Sequence, residues 1–345
     1  MLSTRHRIFH LITGLSLWFI AGSTAAQTLH VQGRPVFLNR PSHDSTCIVA
    51  FPFAINRDDL AFLPDSAGTG RLARVFAELV VSDTAAQVVS RLNTYFTVRV
   101  ADSSEAAARG IKVFNRLAAG LQPGDYMATL TVLDAASKRE EVLRFDTVSV
   151  PSPAPGLALG GAVLAYRISY VGDSVDPQSA RLVDNGYLVF SNPLGVYGLN
   201  DSVLNLYAEI YGLQFDPNTQ TKHRLAYAIL SPMGEVVKDY GYQLKPTIGV
   251  SQVIAQTLDI KDLGRGGFWL RVALEDLANH AVDTIKLPLW HIASEADLHP
   301  PATAFDSLSL DERVSAMRYL LSPPERAALD ALPAEGKINY LTQYW

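Results

Sequence analysis

Apolar and polar residues alternate along most of this chain. Between residues 27 and 150 the stretches STCIVAFPF, RVFAELVV, TYFTVRV, YMATLTVL and EEVLRFDTVSV change character at every second position and are bounded by Gly, Pro, Asp and Ser. That period sends successive side chains to opposite faces of an extended backbone and predicts β-strands. The pattern resumes after residue 156 in ALGGAVLAYRI, GYLVFS, VLNLYAEIYGL, HRLAYAIL, EVVKDYGYQL, FWLRVALED and DTIKLPLW. Residues 104 to 117, SEAAARGIKVFNRL, lack it and are expected to form a short helix or an irregular crossover. Between the two runs stands PSPAP, residues 151 to 155, whose prolines cannot donate to a sheet ladder and which reads as a stiff connector.

One strand is written twice. LQPGDYMATLTVLD at 121 to 134 and LGRGGFWLRVALED at 263 to 276 agree in register at Leu121/Leu263, Gly124/Gly266, Tyr126/Phe268, Leu130/Val272 and Asp134/Asp276. The glycine supplies a turn, the aromatic is expected to enter a core, and the aspartate opens the next turn by accepting from nearby backbone N–H groups. Two further segments align in the same order: VFAELVV at 75 to 81 with LYAEIYG at 206 to 212, and FTVRVAD at 96 to 102 with LAYAILS at 225 to 231. Two copies of one fold are expected. The fold class is mainly β: two tandem Ig-like antiparallel β-sandwich domains, 27–150 and 156–292, followed by a short α-helical C-terminal segment. The Cys and Trp core signature of antibody domains is absent.

After His291 the period changes to that of a helix. In SLSLDERVSAMRYLL, Ser309 is placed to cap with Glu312 three residues on, and Leu310, Val314, Met317 and Leu321 fall on one face. SPPERAALDAL repeats the device with Ser322, Pro323 and Glu325, and EGKINYLTQYW puts Ile338, Leu341 and Trp345 on one face as a candidate docking end. Residues 293–345 therefore read as a helical segment, and its stop at an uncapped Trp345 suggests that it is incomplete.

Composition fits two packed cores, with 48% hydrophobic and 18% charged residues over 345 positions. Arg5, His6 and Arg7 precede an apolar run from Ile8 to Ala21, and STAAQ follows, which reads as a signal peptide over 1–26 and an exported, periplasmic or extracellular product. The run is short of the ~20 residues of a membrane-spanning helix, so no span is expected in the mature chain. Removing Arg5 and Arg7 leaves 27 Lys and Arg against 34 Asp and Glu, a net charge of −7, which argues against nucleic acid as a partner. The single cysteine, Cys47, lies in a predicted strand, and a buried, inert thiol is expected.

Several stretches resemble the GWxTD domain-containing proteins, an exported bacterial family of uncharacterised role. LYAEIYGL is similar to their Tyr-x-Glu-Ile-Tyr strand, LQPGDYMATLTVLD to their Leu-x-Pro-Gly-x-Tyr strand, and GLALGGAVLAYRI to the opening of their middle domain. MRYLLSPPERAALDALPAEGKINYLTQYW resembles the helical lead-in that ends on Phe-Trp. In the family an Asp-Pro-rich loop and the Gly-Trp-x-Thr-Asp motif follow. The resemblance thus implies a member lacking, or truncated before, that motif.

No Gly-x-Ser-x-Gly, His-Glu-x-x-His, Cys-x-x-Cys or Walker-type motif occurs, and the histidines show no metal-ligand spacing, so no catalytic residue, metal or cofactor is expected. DSVD at 173 to 176 and the DNG at 184 to 186 touch on a calcium loop, but Asn-Gly is the ordinary hairpin turn. Glu78 and Glu209 align in the two expected copies, each on a strand face shared with apolar or aromatic neighbours, Tyr207 and Tyr211 in the second case. They form a candidate interaction surface; the plainer reading is an outward Glu paired with a cross-strand cation. Trp269 and Tyr211 are a second candidate, as a shared aromatic platform. The function expected is a non-catalytic binding or scaffold module with a protein or glycan partner in the cell envelope. Its alternatives are an accessory part of an enzyme whose active site lies beyond Trp345, or a carbohydrate-binding module.

Overall fold

The computed structural model describes residues 29–292, apart from 39–45, 67, 69, 153–155, 173–174, 176–178 and 199–200, together with 309–318 and scattered positions between 321 and 341. The signal segment, most of the Pro-rich connector, Ser322, Pro323, Glu325, Ile338 and Trp345 lie outside the described residues.

The first half contains β1 (Val31–Gly33), β2 (Val36–Leu38), β3 (Cys47–Asn56), β4 (Leu63–Pro64), β5 (Arg71–Asp83), β6 (Val88–Val100), the short helix α1 (Ser103–Ala106), β7 (Lys112–Leu121), β8 (Gly124–Asp134) and β9 (Glu140–Val150). The second contains β10 (Ala158–Tyr170), β11 (Val183–Asp184), β12 (Tyr187–Ser191), β13 (Val196–Gly198), β14 (Val203–Tyr211), β15 (Lys222–Leu230), β16 (Val236–Pro246), β17 (Ser251–Asp259), β18 (Gly266–Asp276) and β19 (Val282–Ile292). The helix α2 (Leu310–Met317) follows.

Each half is two sheets around one core, antiparallel except where the short β13 pairs in parallel with β19. In the first, β6-β5-β8-β9 lies against a sheet in which β3 pairs with β7 on one side and with β1 and β2 on the other. In the second, β16-β15-β18-β19 lies against β10-β14-β17, extended beyond β10 by the β11–β12 hairpin. The orders coincide once β1 and β2 together are set against β10. This is the strand arrangement of an Ig-like sandwich. Inward side chains of β5 and β8, among them Val75, Leu79, Leu130 and Val132, cluster with Val49, Phe51 and Phe53 of β3. Leu225, Tyr227, Leu270 and Val272 cluster likewise with Leu204, Leu206 and Ile210 of β14.

This topology corrects two of the three alignments that suggested duplication. β8 and β18 are equivalent, as their shared sequence implies. The partner that β8 takes in β5 is matched by the partner that β18 takes in β15, with Val75 opposite Asp134 and His223 opposite Asp276. So β5 corresponds to β15 and not to β14, and Glu78 has Ala226, not Glu209, at its place. β6 corresponds to β16, so FTVRVAD in β6 is not the counterpart of LAYAILS in β15. Alternation with a mid-strand aromatic is common to many strands, which is why unrelated strands could be overlaid. Residues 104 to 117, expected as a short helix or an irregular crossover, hold the single turn α1, an irregular stretch over 107–111 and the start of β7.

The recurring aspartates have a structural task. Asp134 and Asp276 are fully buried. Oδ2 of Asp134 accepts from the Ala61 N–H at 2.9 Å and the Ser137 hydroxyl at 2.6 Å, and Oδ1 accepts from the Ala136 N–H at 3.2 Å. Asp276 accepts from the N–H groups of Gln214 at 2.7 Å and Ala278 at 3.0 Å. Each carboxylate closes its own turn and ties it to the connector between the opposed sheets. The turns match further: Lys138 and His280, four residues on, take positive φ of 62° and 58° and return their N–H to the aspartate carbonyl.

At the other end of β8 the Tyr126 hydroxyl donates to the Gln122 carbonyl at 3.0 Å, the tyrosine corner of Ig-like domains. Phe268 holds the equivalent place without a hydroxyl. Both rings are half-buried and pack against their cores, as expected of this position. Cys47 is buried, as expected, with its thiol 3.5 Å from the Leu38 carbonyl.

α2 opens with the expected capping box, Ser309 accepting from the Glu312 N–H and Glu312 accepting from the Ser309 N–H. Val314, Met317, Leu321, Leu329 and Leu341 form their own small core. Leu341 is therefore spent inside the helical segment, which corrects its place in an exposed docking end.

Removing a buried charged acceptor strands the donors it satisfied. Asp134→Ala and Asp276→Ala should each lose about 3 kcal/mol in urea melts, and Tyr126→Phe about 1 kcal/mol. Aspartate variants that melt within about 0.5 kcal/mol of the parent would show that these carboxylates do not hold the turns.

Candidate functional site

The seam between the two sandwiches holds a buried glutamate and a largely buried Arg–Asp pair. Residues 206, 208 and 210 of β14 point into the core of the second sandwich, so Tyr207, Glu209 and Tyr211 project from the opposite face of that sheet. That face is covered. Val36 of β2 packs with Val163, Ala165, Val189 and Tyr207, and Leu38 lies 3.2 Å from where a Cβ on Gly161 would stand. Gly161, at φ 56°, sits in a bulge where β10 slips relative to β14, and a side chain there would strike both Leu38 and Glu209.

Under this cover Glu209 is 4% exposed. One carboxylate oxygen accepts from the Tyr207 hydroxyl and from the Asn185 amide, both at 2.8 Å; the other accepts from the Tyr211 hydroxyl. Burial, and then the Glu209 charge, push the Tyr207 phenol far above its ordinary value, so it stays a donor. Asn185, at φ 47°, and Gly186, at φ 79°, form the two-residue turn of the β11–β12 hairpin, a left-handed pair that this dipeptide favours. The DNG stretch is thus a hairpin turn whose Asn side chain is directed to Glu209; Asp173, Ser174 and Asp176 lie outside the described residues.

A few residues away the halves are joined by charge and by rings. Arg116 of β7 is paired through Nη1 with Oδ2 of Asp184, and both side chains are largely buried. Burial pushes the Asp184 carboxyl up from its ordinary value, and the Arg116 guanidinium pulls it partway back. Phe114 of β7 meets Tyr166 and Phe190 of the second sandwich at ring-centroid distances of 5.9 and 5.3 Å.

The remaining candidates scatter. Glu78 is half-buried on β5 and paired at 3.4 Å with Arg91 of β6, the plainer of its two readings. Trp269 is 38% exposed on the outer face of β18, whose inward residues are 270, 272 and 274. Tyr211 projects from the other sheet, away from it across ~10 Å of core. The two rings share no surface, and the aromatic platform is corrected. Sequence reasoning missed Arg116 and noted Asp184 and Asn185 only as part of a hairpin turn; their contacts to Arg116 and Glu209 arise only in the tertiary fold. Among the described residues no group of three His, Cys, Asp or Glu is placed to hold a metal ion.

No protein-family model matches the chain, and no curated protein matches it in sequence. Among solved structures it is similar to a calcium-binding mutant of Bacteroides uniformis beta-glucuronidase 2, at 10% identity and a TM-score of 0.24, covering 77% of this chain and 30% of that one. It is also similar to an Amycolatopsis orientalis exo-chitosanase complex, at 10% identity and a TM-score of 0.18, covering 76% and 26%. The chain spans less than a third of either protein, and likenesses of this size carry no argument about activity.

Among the described histidines, His223 is the most deeply buried, its Nδ1 3.3 Å from the Thr247 hydroxyl. Burial, then the Lys245 charge, hold it below its ordinary value of 6.5. The unfolded chain therefore takes up this proton first, and stability should fall as pH drops below that value, a slope that His223→Gln should flatten. Glu209→Ala takes the acceptor from the buried Tyr207 hydroxyl and the half-buried Tyr211 hydroxyl and should lose about 2 kcal/mol, whereas Glu78→Ala should stay within about 0.5 kcal/mol. Equal losses for the two glutamates would contradict the difference in burial described here.

Proposed function

We propose that this chain is an exported, non-catalytic binding or scaffold component of a bacterial envelope, related to the GWxTD domain-containing proteins through its strand motifs and helical lead-in. The observation that carries the reading is the seam. Two sandwiches linked only by a connector are free to move relative to each other, and interdomain motion is the default for small interfaces. Here the polar groups along the join serve one another: Arg116 is held by Asp184, and Glu209 by two phenols and an amide. A fixed spacing between two modules suits a strut that presents surfaces at a set distance.

The surfaces available to partners are the sheet edges. Long edge strands invite pairing unless they are blunted. The outer strand β16 exposes Val236, Val237, Tyr242 and Leu244. Among the described residues no helix is long and apolar enough to cross a membrane.

Two measurements test the reading. Produced with its first 26 residues in a bacterial host, the protein should appear outside the cytoplasm with an intact mass beginning at Gln27; retention in the cytoplasm at full mass would refute export. In small-angle scattering the exported protein should behave as one rigid body, and an Arg116→Ala, Phe114→Ala double variant should broaden the distance distribution. If the parent already scatters as two independent beads, the strut reading fails.

A further inference from the structure

On another side of the junction the sandwiches do not close on each other, and a cleft of about 290 Å³ remains between them. Its walls come from both halves: the Arg34–Pro35 break between β1 and β2, Pro52 of β3, the bulge of β10, the turn from Asn192 to Gly195, and residues 285 to 288 of β19. Pro52 cannot donate to a ladder and stands opposite the break, between the pairs Gly33↔Phe53 and Val36↔Ala50, so no strand covers the backbone there. The Gly161 bulge and Gly195 keep the floor open. At φ 65° a side chain on Gly195 would stand 2.6 Å from the Pro288 carbonyl.

The lining is mainly aliphatic and proline side chains, with no acidic residue among them. Two cations border it. Arg34 arrives from the first sandwich and Lys286 from the second, both exposed, and neither has a hydrogen-bond or ion-pair partner among the described residues. Elsewhere at the junction the arginines are occupied, as Arg116 is by Asp184. An apolar hollow of this size with two unoccupied positive charges at its mouth complements one kind of ligand.

We propose that this cleft binds a small amphiphilic anion, an alkyl carboxylate whose chain enters between the sandwiches while its carboxylate meets Arg34 and Lys286. The inference concerns a different face from the proposed partner surfaces and does not depend on export or on the seam's role as a strut. Binding would add contacts to both halves at once, so the ligand would also hold them together.

Titration calorimetry on the purified chain tests this with octanoate, with octanol to supply the tail alone and acetate the charge alone. Octanoate should bind at one saturable site, and acetate should not bind detectably. An Arg34→Glu, Lys286→Glu double variant should weaken octanoate about tenfold while leaving octanol unchanged, since both side chains are solvent-exposed. Pro35→Trp, in the break outside any strand, should plug the cleft and abolish both. The surface charge variant carries the test if the plug variant fails to fold. Octanoate that does not saturate, or whose affinity is the same in the charge-reversed variant, overturns the proposal; so does tight binding that survives a folded Pro35→Trp.

Discussion

A carboxylate taken out of water must be met by donors, and in each sandwich one aspartate is met by the backbone of a segment far away in sequence. Asp134 takes the N–H of Ala61 and Asp276 that of Gln214. Those donors belong to the chain as it leaves β3 or β14 to cross to the opposite sheet. The bond therefore fixes where the crossing chain passes relative to the end of β8 or β18. Apolar strands alone would leave this underdetermined, because burial is non-directional. The order of strands around each core follows from hydrophobic alternation; the closure of the sandwich depends on a directional contact with a charged acceptor.

The same logic separates the seam from an ordinary sheet surface. The outer face of β10, β12 and β14 carries Tyr207 and Glu209, residues that a solvated face would tolerate singly, yet here they lie under β2 and the β11–β12 hairpin. Burying one glutamate required two phenols and an amide in reach. All four groups belong to the second sandwich, so the network fixes the β11–β12 turn over β14, and β2 of the first half closes over it. Arg116 and Asp184 are the charge pair that crosses between the halves.

Much of the fold was legible in the sequence and little of the site was. Strict alternation identified β3, β5, β6, β8 and β9, and seven strands of the second half. Besides the short strands β1, β2, β4, β11 and β13, one long strand escaped in each half, and it is the equivalent one: β7, interrupted by Asn115, Arg116 and Gly120, and β17, interrupted by Gln252 and Gln256. The repeat at β8 and β18 was readable because a glycine turn, an aromatic corner and a buried aspartate each demand a particular residue. The overlay of Glu78 on Glu209 failed because a Glu between apolar neighbours demands nothing; one is paired with Arg91 at a surface, the other is enclosed. Burial by a second domain leaves no local trace.

Cys47 is the only thiol of the chain, and it lies at the first residue of β3 with its sulfur beside the Leu38 carbonyl at the end of β2. A reagent specific for thiols reaches it only when that strand pair parts. The rate of such labelling under native conditions is therefore a clock for local opening at one corner of the first sandwich, the same half of the chain that supplies Arg34 and Leu38 to its neighbour.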